Sequence, residues 1–161
     1  MISMERFDIV ALIRNYLQAT ELLCKQKDVR VIMEEENPIF VWADEFMVEE
    51  AFGNYFSNAL NHVAKERVIE VKCIKKEKYV RISVFNTGEP IPEESLPHIW
   101  EKFYKVDKAR TRQYGGSGVG LSIVKATMEA LNQKYGVENF DNGVMFWLEL
   151  ELAGEQNESV E

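Results

Sequence analysis

The sequence predicts an α+β two-layer sandwich, with a mixed and mostly antiparallel sheet and helices packed on one of its faces. Three observations carry this expectation. Apolar and polar residues alternate along residues 69–73 and again along 80–84, with a lysine-rich turn between them, which is the period of an antiparallel hairpin buried on one side. Apolar stripes with helical spacing run through residues 7–27, 44–63 and 119–131. The helices are grouped among these strands and do not alternate with them one by one, so a doubly wound parallel sheet is not expected.

Taken in order, residues 7–27 read as one amphipathic helix lying on a sheet, with Ile9, Leu12, Ile13, Tyr16, Leu17, Leu23 and Cys24 along its stripe. Short strands follow at 29–33 and 39–42, separated by an acidic run and by the turn pair Asn37 and Pro38. Asp44 is placed to cap a second helix, Glu45 falls in its positive first turn, and Val48, Phe52, Tyr55, Phe56, Ala59 and Val63 form its apolar face. After the hairpin comes a loop region with one short helix around 96–103, then a glycine cluster, the helix at 119–131, and closing strands at 135–140 and 144–152. Residues 1–152 are expected to form the domain, and 153–161 a disordered acidic tail.

Composition narrows the function. A chain of 161 residues, 46% of them hydrophobic, has the material for one ordinary core. Its apolar runs are far shorter than the roughly 20 residues that a membrane helix requires, and its first residues lack the layout of a signal peptide. The formal charge of −8 argues against nucleic acid or anionic lipid as a partner, so any phosphate binding must be local. Cys24 and Cys73 fall on apolar faces without metal or disulfide spacing, and read as reduced packing residues of a cytoplasmic protein.

Three constellations carry chemistry. Asn54, Asn58 and His62 are spaced i, i+4, i+8 and share one stripe of the second helix. An asparagine carbonyl suits a partly hydrated magnesium ion held by phosphates, but a solvated polar face gives the same pattern. At the end of the second hairpin strand, Asn86, Thr87, Gly88, Glu89, Pro90 and Ile91 either make an ordinary turn or present one hydrogen-bonding group and an apolar wall to a flat heterocycle. Gly115, Gly116, Ser117, Gly118, Val119, Gly120 and Leu121 precede a helix, so they either cap it or bring backbone N–H groups to an anion. No Lys-Ser/Thr pair follows these glycines and no strand runs straight into them, which disfavours both a P-loop and a dinucleotide-binding fingerprint.

In this order the segments resemble the ATP-binding domain of sensor histidine kinases, a Bergerat fold in the superfamily that includes gyrase and a heat-shock chaperone ATPase. Asn54-Tyr55-Phe56-Ser57-Asn58-Ala59-Leu60 resembles the N box, Asn86-Thr87-Gly88-Glu89-Pro90-Ile91 the first glycine box, Trp100-Glu101-Lys102-Phe103-Tyr104-Lys105 the F box, and Gly116-Ser117-Gly118-Val119-Gly120-Leu121 the second glycine box. The resemblance covers residues 7–152. It implies that the chain binds ATP and Mg2+ and transfers the γ-phosphoryl group to a histidine on another domain. Asn58 would ligate magnesium, Asn54 would support it or a phosphate, and His62 would contact phosphate. Asn86 would accept the adenine amino hydrogen, with Gly88 and Ile91 completing the base site. Lys105 would reach the terminal phosphate, and Gly116, Gly118, Gly120 and Leu121 would form the hinge and floor of a lid over residues 106–115. Lys108, Arg110 and Arg112 fall in that lid and would offset triphosphate charge.

The chain departs from the pattern at three places. Asn61 stands where a lysine is usual, Asn86 replaces an aspartate, and Pro90 replaces the second glycine of DxGxG. Substituting a neutral for a charge-assisted hydrogen bond at Asn86 costs about 1 kcal/mol, or about fivefold in affinity. The superfamily's ATPases and serine kinases carry a glutamate four residues before the magnesium asparagine, where Asn54 stands here; Glu49 and Glu50 are two or more helical turns from Asn58. The two histidines, His62 and His98, match neither the position nor the sequence context of a phosphoacceptor. The expected partners are therefore the phosphoacceptor helical hairpin of its own sensor and a response regulator. The expected location is the cytoplasmic part of a membrane-anchored sensor, with no membrane contact by this domain. An inactive nucleotide-binding module, or an ATPase or serine kinase of the same superfamily, is the alternative.

Overall fold

The computed structural model describes residues 1–104 and 119–154. In chain order the elements are β1 (Glu5–Asp8), α1 (Ile9–Ala19), α2 (Glu21–Gln26), β2 (Arg30–Ile32), β3 (Phe40–Ala43), α3 (Glu45–His62), β4 (Val68–Lys75), β5 (Tyr79–Thr87), a 3₁₀ turn (Glu93–His98), α4 (Gly120–Ala130), β6 (Tyr135–Phe140) and β7 (Gly143–Glu151). Five strands form one mixed sheet in the order β2-β4-β5-β7-β6, antiparallel throughout except for the β2–β4 pair. β1 and β3 form a separate antiparallel pair, joined to the main sheet where Val41 bridges Leu152 and Ala153 N–H donates to the Phe40 carbonyl.

The hairpin forms as its period predicts. Val71 stands opposite Val84 and Cys73 opposite Ile82 on β4 and β5, and Phe146 and Leu148 of β7 continue the same rows. These side chains are buried, as are Ile69, Val80, Val144 and Leu150. α3 and α4 pack together over this face, and α1 packs on α3. Tyr55 is fully buried, its ring is 5.3 Å from Phe146, and its hydroxyl donates to the Trp147 carbonyl at 2.9 Å, which ties α3 to the sheet. Burial raises the Tyr55 phenol far above its ordinary pKa and pushes the Cys73 thiol up to about 12, so both remain protonated packing groups. Cys24 is buried as well.

On the other face of the sheet, side chains of neighbouring strands cover one another. The Arg81 guanidinium lies 3.7 Å over the Trp147 ring and its Nη2 donates to Glu149 Oε2 at 2.6 Å. Glu149 is 6% exposed, so this is a charge pair largely out of water. Gly136 stands opposite Trp147 on the neighbouring strand, and a Cβ there would come within 2.4 Å of the indole.

Two expectations are corrected. The single helix over 7–27 is a strand and two helices. Phe7 belongs to β1, and Asp8 ends that strand and caps α1, its Oδ1 accepting from the N–H groups of Val10, Ala11 and Ile39. α1 stops at Thr20, whose hydroxyl lies 3.2 Å from the carbonyls of both Tyr16 and Leu17. Beyond that break Leu23 points outward, 42% exposed, and only Cys24 returns to the core. The short helix at 96–103 is a 3₁₀ turn shifted to Glu93–His98, with Pro97 inside it and no N–H to offer there. The acidic tail beyond residue 154 lies outside the described residues.

Candidate functional site

α3 presents the first group of site residues. Asp44 caps it, accepting from Met47 N–H at 3.0 Å through Oδ1 and from Ser3 N–H at 2.7 Å through Oδ2. These donated hydrogen bonds, the Ser3 one foremost, hold its carboxyl below the usual range. With Val48, Ala51, Phe52, Tyr55, Phe56, Ala59 and Leu60 buried on one side, Asn54 and Asn58 are left half-buried on the flank and His62 exposed at the end. The sequence-predicted stripe is therefore real.

Asn54 is committed in a specific direction. Its Nδ2 donates to the Glu50 carbonyl one turn back at 2.9 Å, which turns Oδ1 toward the first residue of α4. A Cβ on Gly120 would lie 3.0 Å from that oxygen, so a glycine there lets the start of α4 approach α3 closely. Leu121 packs against the core beside it. No hydrogen bond joins the Asn58 carboxamide to another described residue, and the side chain is half-buried on the helix flank. A neutral, half-buried amide oxygen fits a magnesium ion that keeps several waters and phosphate oxygens. Among the described residues no group of three or more His, Cys, Asp or Glu side chains could hold a metal ion on its own.

The end of β5 meets the end of α3. Ala64 N–H donates to the Thr87 carbonyl at 2.9 Å, and the Thr87 hydroxyl accepts from Val68 N–H at 3.0 Å while donating to the Ala64 carbonyl at 2.8 Å. Gly88 has φ +145°, and a Cβ there would meet the His62 carbonyl at 3.1 Å, so glycine is required both for the backbone and for the space. Asn86 is 2% exposed; its Nδ2 donates to the Thr87 carbonyl at 3.1 Å, and nothing among the described residues donates to its Oδ1. The amide is thereby oriented with its oxygen as the acceptor. Ile91 follows, half-buried against the core, with its backbone N–H and carbonyl both bonded to the Asn139 carboxamide.

The structure thus brings Asn54 to Gly120, and His62 to Gly88 and the Asn86 loop. Lys105, Gly116, Gly118, the lid over 106–115 and its three cations lie outside the described residues. Thr87, Asn139 and Asn142 organise the Gly88–Ile91 loop; Thr87 was read only as part of its segment, and Asn139 and Asn142 were not singled out from the sequence. Two open grooves lie elsewhere. One, of 380 Å³, is lined by Lys25, Arg30 and Arg67 among others, and a second, of 1490 Å³, by Arg6, Phe40 and Tyr79 among others; neither is lined by any of the expected site residues.

Residues 43–154 match the family described as histidine kinase-, DNA gyrase B-, and HSP90-like ATPase. The sensor protein VanSB of Enterococcus faecalis is 30% identical over 146 residues, covering 91% of this chain but 33% of that protein. The catalytic domain of histidine kinase ThkA, nucleotide-free, superposes with a TM-score of 0.82 at 28% identity, covering 92% of this chain and 95% of that domain. ThkA in complex with the response regulator protein TrrA superposes at 0.78 with 26% identity, covering 94% of this chain and 42% of that one. The chain spans about a third of the length of the curated relative it matches over 91% of its own residues.

Proposed function

Because the chain belongs to the histidine kinase-, DNA gyrase B-, and HSP90-like ATPase family and is its catalytic domain in the sensor-kinase form, we propose that it binds Mg-ATP and transfers the γ-phosphoryl group to a histidine on a separate domain. The observation that carries the reading is the junction of three segments far apart in sequence: Asn54 against Gly120, and the end of α3 against the Asn86–Ile91 loop.

In this reading residues 1–152 are the catalytic domain and the site has a base end and a phosphate end. At the base end Asn86 Oδ1 accepts from the adenine amino group, Gly88 lets the backbone approach, and Ile91 supplies the apolar wall. At the phosphate end Asn58 is the protein ligand to magnesium and His62 contacts phosphate, while Lys105 reaches the terminal phosphoryl group. Gly116, Gly118, Gly120 and Leu121 shape the lid. Bound magnesium supplies charge neutralisation of the phosphate oxygens. Asn54 is oriented by Glu50 and cannot take a proton, so the acceptor must bring its own nucleophile, as an imidazole nitrogen does. The protein's contribution is positioning and electrostatic complementarity, which dominate phosphoryl transfer.

The acceptor is the helical hairpin of the chain's own sensor, and the phosphoryl group passes on to a response regulator; the ThkA–TrrA complex supports the second step. No helix among the described residues is long and apolar enough to cross a membrane. The likeness to a sensor protein supports the reading that the domain works on the cytoplasmic side of a membrane-anchored sensor. The test is radiolabelled transfer from ATP by the chain alone, with the hairpin, and as Asn54→Glu. Acid-labile label on the hairpin alone is expected. Acid-stable serine labelling, or rapid turnover without a hairpin, would move the chain to the superfamily's serine kinases or ATPases.

A further inference from the structure

The loop between Gly88 and Ile91 has almost no structure of its own to hold it. Glu89 and Pro90 are exposed, the Lys65–Glu89 ion pair at 3.0 Å is solvated on both sides, and Pro90 has no N–H to give. The fastening comes from the β6–β7 hairpin. Gly88 N–H donates to the Asn142 carbonyl at 3.0 Å. Gly143 lies so close to the end of β5 that a Cβ would come within 2.1 Å of the Asn86 carbonyl. At the far end of the loop, Ile91 N–H donates to Asn139 Oδ1 at 2.9 Å while Asn139 Nδ2 donates to the Ile91 carbonyl at 2.8 Å.

A carboxamide carries the same donor and acceptor as a peptide unit, so these two bonds reproduce one rung of an antiparallel ladder. They are made by a side chain on an edge strand, 48 residues from Ile91 in sequence. The register adds a second constraint: Asn139 stands opposite Val144, and Val144 opposite Asn86. The adenine acceptor and the residue that anchors the adenine wall therefore lie in one row across three strands, about 10 Å apart.

On the nucleotide reading proposed above, we infer that Asn139 is a positioning residue for the base end of the site, fixing Ile91 at a set distance from Asn86. Without it Ile91 loses both backbone bonds that fix its position, and ordering it becomes part of the cost of binding. The effect is confined to the base: a ligand reduced to adenosine loses as much as Mg-ATP does.

The test uses Asn139→Ala, which removes both bonds, and Asn139→Asp, which keeps an acceptor for Ile91 N–H but sets a carboxylate oxygen against its carbonyl. NMR titration with adenosine and calorimetry with Mg-ATP are run well below each variant's melting temperature, with Ile91 amide exchange followed in the same samples. Both variants are expected to lose about fivefold in affinity for both ligands, with Ile91 exchange accelerated in both. Unchanged adenosine affinity in either folded variant would overturn the role of Asn139 and leave a merely structural contact. Wild-type chain that binds neither adenosine nor Mg-ATP would overturn the nucleotide reading and this inference with it.

Discussion

Gly120→Ala is expected to separate stability from phosphoryl transfer. The new Cβ would lie 3.0 Å from Asn54 Oδ1, about 0.4 Å inside an ordinary carbon–oxygen contact. Asn54 cannot simply swing away, since its Nδ2 is held by the Glu50 carbonyl at 2.9 Å; displacing it by that amount weakens a bond with a net worth of about 1 kcal/mol. Against this, replacing glycine where the backbone is helical lowers the entropy of the unfolded chain and stabilises by about 0.4–1 kcal/mol. The two terms nearly cancel, and the melting temperature should stay within about 3 °C of wild type. Catalysis has no such compensation. A misplacement of about 1 Å costs on the order of a hundredfold, so 0.4 Å scales to about sixfold. Calorimetric melting and single-turnover transfer to the sensor's hairpin measure the two quantities on the same sample. Unchanged transfer would show that the Asn54 oxygen takes no part in the reaction, and a melting temperature lower by about 6 °C or more would show that the glycine serves packing.

On the proposed reading, in which Asn58 meets only the metal and phosphate end, Asn58→Ala should weaken Mg-ATP at least about tenfold and adenosine hardly at all, by titration calorimetry; equal losses would remove it from the magnesium site. Asn86→Asp should fail to deliver the fivefold gain of a charge-assisted bond, because a carboxylate oxygen would replace the amide nitrogen that now donates to the Thr87 carbonyl at 3.1 Å; a tighter-binding variant with an unchanged melting temperature would refute the assigned orientation of the amide. Asp44 has a lowered pKa, so its contribution to stability is complete above the ordinary carboxylate range of about 4 and is lost as pH falls through its lowered value. Asp44→Asn should therefore flatten the acid limb of the melting temperature against pH, and an unaltered limb would show that Ser3 and Met47 do not hold the carboxylate in solution.

Those parts of the fold were legible whose pattern survives burial on one face. The β4–β5 alternation and the α3 stripe each repeat several times, and Asp44 marks the helix start with the residue type that start requires. β1 was illegible because three of its four residues are charged and only Phe7 is buried, too few to show a period. The break at Thr20 depends on a hydroxyl choosing its own helix's carbonyls, which composition does not announce. At the site, the stripe of Asn54, Asn58 and His62 could be read from spacing, and the order of four short segments carried the rest. Asn139 and Asn142 could not, because Asn139 reads as an ordinary strand residue, Asp-Asn-Gly as a turn, and their partners, Ile91 and Gly88, belong to another segment of the chain. Thr87 was visible as a letter in a glycine box, but its hydroxyl's bonds to Val68 and Ala64 exist only once α3 and β4 are placed.

The rear face of the sheet has an evolutionary corollary. Gly136, Trp147, Arg81 and Glu149 form a dependent set: a side chain at 136 meets the indole, a smaller residue at 147 strips Arg81 of its aromatic seat, and a displaced Arg81 abandons a buried carboxylate at 149. A disruptive replacement at any of the four leaves a neighbour clashing or unpaired, so descendants of this chain are expected to change them through intermediates that fold less well, or by altering several at once. Asn86 is on the same strand as Arg81 but an odd number of residues away, so it points to the opposite face and shares none of these contacts. Homologues should therefore show the four rear positions changing as a block.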